Sequence, residues 1–287
     1  MMRGIEMIDT KEELKVIKLD EVPTTSKQNS FTRPIQSANV LFKFMGELRF
    51  LKEIIEKMAI LPRYYEEKID YLNINGVDKI AFPMSCFCDI HLNKLVPHME
   101  NYGYYGIGLS KEWGIQKGIQ PIHYINPYSP LREDFSNIFS DTLKQSLEVR
   151  EKNSSYNNYL LHNLFYMKPL EGDMIVNREY HTRNFHDERE WRFIPNVLEA
   201  GTDLPLVLDP EQMNPNSYQV YSNGITKCSN LWLNFELDAI KYIIVKDSND
   251  RAELIKFIVE NMNEISDLQK YTLISKVLAF NELQEDW

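Results

Sequence analysis

Residues Phe82–Trp113 read FPMSCFCDIHLNKLVPHMENYGYYGIGLSKEW. Apolar residues alternate with other residues at Ile80–Met84 and again at Tyr105–Leu109, which predicts a strand at each place. Pro83 has no N–H to donate to a neighbouring strand, so it favours a sheet edge or a strand end. Further along the chain, Ile122–Ile125 is a short apolar run that is predicted to pair with Tyr105–Leu109 as a hairpin-like unit.

Helical and extended segments follow in mixed order around these strands. Apolar residues at three- and four-residue spacing predict helices, whereas short apolar runs with alternation predict strands. The predicted helices span Gly46–Leu61, ending at Pro62, Arg132–Lys152 and Arg251–Glu264, and the further strands span Glu190–Ile194 and Lys241–Val245. The stretch Asp209–Ser229 is rich in Asn, Ser and Pro and is predicted to be a long surface loop.

The order of these elements predicts an α+β fold and not a regular βαβ alternation. We expect a single domain over residues 37–287, with a central, largely antiparallel, twisted sheet flanked by helices. Residues 1–36 are polar and include VPTTSKQNSFTRP, so they are predicted to form a flexible N-terminal arm.

Composition limits the classes of function. The 287 residues are 43% hydrophobic, which is ample for a packed core, and the formal net charge of −10 makes nucleic-acid binding an unfavourable interpretation. Three cysteines do not form a disulfide framework, the N-terminus lacks a signal peptide's apolar segment, and no apolar run is long enough to span a membrane. The chain is therefore predicted to be cytoplasmic and to have no membrane association.

Cysteines, histidines, glycines and tyrosines within the opening stretch could bind ligands. The first group is Cys86, Cys88, His91 and His98. On a strand, the sulfur atoms of Cys86 and Cys88 would lie about 6.5 Å apart, which suits a tetrahedral metal site poorly. We therefore predict no metal. The run GYYGIG matches no nucleotide-binding motif. Tyr102, Tyr104 and Tyr105 could stack on a base or nicotinamide ring, or the glycines could simply let a twisted strand pass under aromatic side chains.

The densest ionisable cluster lies in HTRNFHDEREWRF, residues 181–193. If Glu188–Ile194 is extended, Glu188, Glu190 and Arg192 project to one face of the strand. Such a carboxylate pair could form a catalytic site. Alternatively, it could belong to an exposed strand face with weak cross-strand ion pairs.

Four segments together resemble the AbiGi family of abortive phage-resistance proteins. They are PMSCFCDIHL, YGYYGIGLSKEW, PIHYI and EREWRF, and the resemblance extends over Val40–Val245. It implies a role in phage defence as the antitoxin, or as a regulator, of a nucleotidyltransferase-like toxin encoded by a neighbouring gene. It implies no catalytic residues.

The pair Glu188 and Glu190 also resembles the E-x-E element of ADP-ribosyltransferases, whose second glutamate bonds the nicotinamide ribose of NAD. That resemblance implies Glu190 as the catalytic carboxylate, helped by Glu188, with NAD as the cofactor. Lys43 stands where such folds carry an Arg or His that holds NAD, and a lysine cannot reproduce the guanidinium fork. Ser85 would supply their small hydroxyl element.

Two hypotheses follow. The first is a binding protein that neutralises or senses a co-encoded toxin, with its acidic surface docking a basic face. The second is an NAD-dependent ADP-ribosyltransferase or NAD glycohydrolase. In the second, Glu190 and Glu188 are catalytic, and the ligand-binding residues are Lys43, Ser85, Tyr102, Tyr105 and Arg192.

Overall fold

The computed structural model describes residues 38–74, 76–176 and 179–284. The predicted N-terminal arm, residues 1–36, lies outside the described residues. Strands and helices alternate irregularly along the described part, as the α+β prediction requires.

The described residues contain fourteen strands. They are β1 Val40–Met45, β2 Ala59–Ile60, β3 Arg63–Lys68, β4 Lys79–Cys88, β5 Tyr105–Ser110, β6 Gln120–Pro121, β7 His123–Ile125, β8 Met167–Pro169, β9 Glu171–Val176, β10 Glu179–Asn184, β11 Glu190–Phe193, β12 Leu233–Asn234, β13 Ile240–Val245 and β14 Val277–Ala279.

Eight of these strands form the central sheet, in the order β14-β13-β5-β1-β4-β11-β6, with β3 paired to the first half of β4. All of its pairings are antiparallel except that of β13 with β14. The predicted α+β fold with a largely antiparallel central sheet is therefore confirmed. The order places β1, β4 and β11 side by side, although these strands are far apart in the sequence.

Ten α-helices accompany the sheet within the described residues. They are α1 Leu48–Lys57, α2 Val96–Tyr102, α3 Lys111–Gln116, α4 Pro130–Lys144, α5 Leu147–Lys152, α6 Ser154–Phe165, α7 Pro215–Ile225, α8 Ser248–Asn261, α9 Asp267–Ile274 and α10 Phe280–Gln284. None of them combines the length and the apolar composition that a bilayer span requires.

Each face of the sheet has its own apolar core. Helices α1 and α8 cover one face, where Leu51 and Ile55 of α1 are fully buried against strand residues such as Ile107. The predicted helix at Gly46–Leu61 is thus confirmed, but it ends at Lys57, because Met58 adopts a left-handed conformation that stops it. Helix α2 covers the other face, with Met99 packed in the cluster of β1.

Three sequence predictions about these elements are wrong. The strand at Tyr105–Leu109 does not form a hairpin with Ile122–Ile125: both edges of β5 are already paired, with β1 and β13, and β7 pairs with β8 instead. The single helix predicted at Arg132–Lys152 is two helices, since Gln145 is extended between α4 and α5. The predicted loop at Asp209–Ser229 contains α7.

Helix α7 shows why that loop prediction failed. The side chain of Asn214 accepts a hydrogen bond from the backbone N–H of Ser217, and Pro215 occupies the first turn of the helix. Asn and Pro favour both loops and helix N-termini, so their abundance alone did not distinguish the two.

Pro83 lies within β4, in the half of that strand that is paired with β3.

Candidate functional site

A cavity of about 850 Å³ opens beside the part of the sheet where β1, β4 and β11 are neighbours. Residues of β3, α2, β8 and β9 and of the 3-10 turns Asp70–Leu72 and Phe185–Glu188 complete its lining. Its volume falls within the roughly 300–1,000 Å³ that is typical of small-molecule sites. We therefore take it as the candidate functional site.

Two glutamates and a lysine form the ionic wall of this cavity. The Nζ atom of Lys168 donates to Glu190 Oε2 at 3.0 Å and to Glu188 Oε2 at 3.1 Å, so one ammonium group bridges both carboxylates. The second oxygen of Glu188 accepts a hydrogen bond of 2.7 Å from the hydroxyl of Tyr102. Both glutamates are buried, with exposed fractions of 7% and 6%. The alternative interpretation of an exposed charged strand face is therefore wrong.

Arg192 supports this wall from behind. It is fully buried, and its Nε atom donates to Glu190 Oε1 at 2.6 Å. Its Nη1 atom donates to the carbonyl oxygen of Phe165 at 2.7 Å, and its Nη2 atom lies 3.1 Å from Glu67 Oε2 in an ion pair. The guanidinium group thus holds two carboxylates in fixed positions.

Charge pairing determines the protonation of Glu190 and Lys168. Burial alone would raise the pKa of the Glu190 carboxyl, but Arg192 and Lys168 outweigh it and hold that pKa well below its usual range. Burial alone would lower the pKa of Lys168, but Glu190 and the neighbouring carboxylates hold it well above its ordinary value. Glu190 and Lys168 are consequently charged and paired at neutral pH.

The backbone brings the two glutamates together differently from the prediction. Strand β11 begins at Glu190, and Glu188 ends a 3-10 turn that spans Phe185–Glu188. Between them, Arg189 adopts a left-handed conformation with φ of 44°. The prediction that Glu188 lies within an extended strand is therefore wrong, although its carboxylate still reaches the same lysine as Glu190.

Aromatic rings form a second wall, which meets the ionic wall where Tyr102 contacts Glu188. The ring centroids of Phe42 and Phe44 are 5.9 Å apart, those of Phe44 and His98 are 5.7 Å apart, and those of His98 and Tyr102 are 4.4 Å apart. All four residues line the cavity. Burial lowers the pKa of His98 to about 4, so this wall carries no charge at neutral pH. The rings of Phe44, His98 and Tyr102 retain exposed surface against which a planar ring can stack, whereas the ring of Phe42 is buried.

Lys43 also lines the cavity, on the strand next to β4. Its Nζ atom lies 5.9 Å from the centroid of the Phe87 ring. Within the described part of the chain it has no hydrogen bond or ion pair, and burial lowers its pKa. It is therefore a cavity amine whose hydrogen-bonding capacity is unused.

The remaining predicted ligand-binding residues lie elsewhere. Ser85 is fully buried on β4, outside the cavity lining, and its Oγ atom has no hydrogen-bond partner among the described residues. The hydroxyl of Tyr105 donates to Asp250 Oδ2 at 2.9 Å, and Tyr105 packs with the core on the α1 side of the sheet. The structure thus gathers Glu188, Glu190, Tyr102 and Lys43 at the cavity.

Sequence reasoning missed Lys168. It lies on the three-residue strand β8, twenty residues before Glu188, and no motif surrounds it. A buried carboxylate pair requires a compensating cation, and this requirement is a signal that could have prompted a search for one. The described residues include no group of three or more His, Cys, Asp or Glu side chains arranged to hold a metal ion.

Comparisons with known proteins agree on one family. Residues 58–246 match the AbiGi family of abortive phage resistance proteins, whose description also carries the word antitoxin. The chain is 36% identical to the abortive phage resistance protein AbiGi of Lactococcus lactis subsp. cremoris over 251 residues, which cover 80% of this chain and the full length of that protein. No solved structure matches the chain.

Proposed function

The chain belongs to the AbiGi family, and on this premise we propose that it acts in phage defence as the antitoxin that binds and neutralises a toxin encoded by a neighbouring gene. One observation carries the proposal: the family described as an antitoxin matches more than half of the chain. The net charge of −10 favours a partner with a basic binding face.

This proposal predicts the outcome of co-expression. The product of the neighbouring gene should arrest growth when it is expressed alone, and this chain should restore growth and co-purify with that product. Because opposite charges accelerate encounter, the association rate should fall as salt is raised. Growth arrest by this chain alone, with a harmless neighbour, would contradict the antitoxin role.

The cavity supports a second candidate function, which is NAD cleavage or ADP-ribosyl transfer. The observation in its favour is that Glu188, Glu190, Tyr102 and Lys43 all line one cavity. In that reaction, the carboxylate of Glu190 would bond the ribose and stabilise the positive charge that develops as nicotinamide leaves. The salt bridges to Lys168 and Arg192 would keep this carboxylate ionised and oriented.

The second candidate predicts release of nicotinamide from NAD by the purified protein. Tyr102→Phe should weaken the activity, because it removes only the hydroxyl that positions Glu188, and Glu190→Gln should abolish it. Glu282→Gln is the matched control, since this carboxylate lies in an exposed ion pair with Arg251. Circular dichroism shows whether each variant is folded. The enzyme hypothesis fails if folded wild-type protein, with and without lysate, leaves NAD intact.

A further inference from the structure

Lys43 lines the cavity without a hydrogen-bond or ion-pair partner among the described residues. Three partly or fully buried carboxylates, those of Glu67, Glu188 and Glu190, line its inner part. Lys168 and Arg192 pair with them directly, whereas Lys43, whose pKa burial lowers, has no direct partner among the described residues. A lysine without a hydrogen-bond acceptor is costly in such a place, so a ligand that supplies one would be favoured.

The rim of the cavity restricts the charge of that ligand. Four exposed carboxylates lie there with the exposed ammonium group of Lys68, and one of them, that of Glu66, is paired with Lys79 at 2.9 Å. The carboxylates belong to Glu66, Asp70, Glu171 and Asp173. Their like charge opposes ligands that carry several negative charges, such as di- and triphosphates.

The aromatic wall determines the shape of the ligand. The rings of Phe42, Phe44, His98 and Tyr102 follow one another at centroid distances between 4.4 and 5.9 Å and are uncharged at neutral pH. A flat ring placed against them gains both apolar burial and stacking. Saturated chains of the same volume gain only the burial.

We propose that the cavity binds a small aromatic monocarboxylate, with its ring against the aromatic wall and its carboxylate paired with Lys43. This ligand is neither the proposed protein partner nor NAD, so its binding does not depend on either of the two proposed functions. Pairing with the carboxylate would satisfy the amine of Lys43, and a single negative charge keeps repulsion from the rim small.

Four probes of nearly equal size test the proposal by ligand-observed NMR titration of the full chain. Benzoate carries the ring and the carboxylate, benzamide carries the ring without charge, benzamidine carries the ring with a positive charge, and cyclohexanecarboxylate carries the charge without the flat ring. We expect benzoate to bind most tightly. Tightest binding by benzamidine would overturn the proposal, and so would equal binding by cyclohexanecarboxylate or the absence of benzoate binding.

Variants of Lys43 separate the paired amine from a general effect of charge. Lys43→Met should weaken benzoate binding about tenfold or more, because a charge-assisted hydrogen bond is lost, while benzamide binding should change little. Lys43→Arg should retain most of the affinity for benzoate. Lys256→Met, which changes a largely exposed lysine on α8, is the matched control and should have no effect. An unchanged affinity in folded Lys43→Met would overturn the assignment of the carboxylate to Lys43.

Discussion

Replacement of Arg192 by methionine is expected to destabilise the protein by about 3–5 kcal/mol, because it leaves buried carboxylates without their cation. Glu190 would retain only Lys168, Glu67 would lose its ion pair, and the carbonyl oxygen of Phe165 would lose a donor. Methionine fills much of the space of the arginine side chain, so the loss measures charge and hydrogen bonding more than a cavity. The measurement is urea unfolding at neutral pH.

Arg251 provides the matched control for this experiment. It also makes two hydrogen bonds of 2.6 Å to one carboxylate, that of Glu282, but both side chains are substantially exposed. Arg251→Met should therefore cost less than about 1 kcal/mol. Equal losses in the two variants would mean that the burial of Arg192 does not control the energetics of the site.

A double-mutant cycle tests whether Arg192 and Glu190 act as a pair. Once Arg192 is methionine, the additional substitution Glu190→Gln should cost less than it does in the wild-type protein, because the glutamate has already lost its cation. A strictly additive result would show that the two residues contribute independently to the stability. Such a result would contradict the network described for the cavity wall.

The parts of the fold that local pattern determines could be predicted from the sequence. The apolar spacing of α1 and the short apolar run at Lys241–Val245 are both properties of consecutive residues, which is why both elements were recognised. Sheet neighbours depend on residues far apart in the sequence. The pairing of β5 with β1 and β13 could not be obtained from the residues of β5 alone. A hairpin with the nearby segment Ile122–Ile125 was predicted instead, because it closes a shorter loop.

The candidate site could be predicted only in part, for a related reason. Glu188 and Glu190 are separated by one residue and were identified as a pair, but their burial depends on Lys168 and Arg192, whose roles arise from packing. A run of alternating charges is compatible with a solvated strand face and with a buried ion network alike. The two interpretations differ in whether a cation lies beside each carboxylate, and this can be known only from the folded structure.

Substitution of Gly103 by alanine is expected to destabilise the protein by about 3 kcal/mol or more, because backbone strain and a steric overlap act together. Gly103 has φ of +105°, a conformation that residues with a Cβ atom rarely adopt. A Cβ atom there would overlap the carbonyl oxygen of Met45 and would lie 2.7 Å from the Cα atom of Gly46. Both neighbours are backbone atoms, so neither can move without displacing the end of β1.

Gly118→Ala separates the two causes. Gly118 also has a positive φ, of 76°, but no atom lies within 4 Å of the position that its Cβ would occupy. Its replacement should therefore cost only the conformational part, about 1–2 kcal/mol. Urea unfolding of both variants gives the difference, and equal losses would show that contact with β1 contributes nothing.

The effect of Gly103→Ala should also reach the cavity, because Gly103 immediately follows Tyr102 at the end of α2. A shift of this helix end would move the hydroxyl that binds Glu188 and the ring that stacks on His98. We therefore expect Gly103→Ala to weaken benzoate binding even under conditions where the variant is fully folded, whereas Gly118→Ala should leave it unchanged. Unchanged binding by folded Gly103→Ala would mean that Tyr102 is positioned by its hydrogen bond to Glu188 and not by the close contact of its helix with β1.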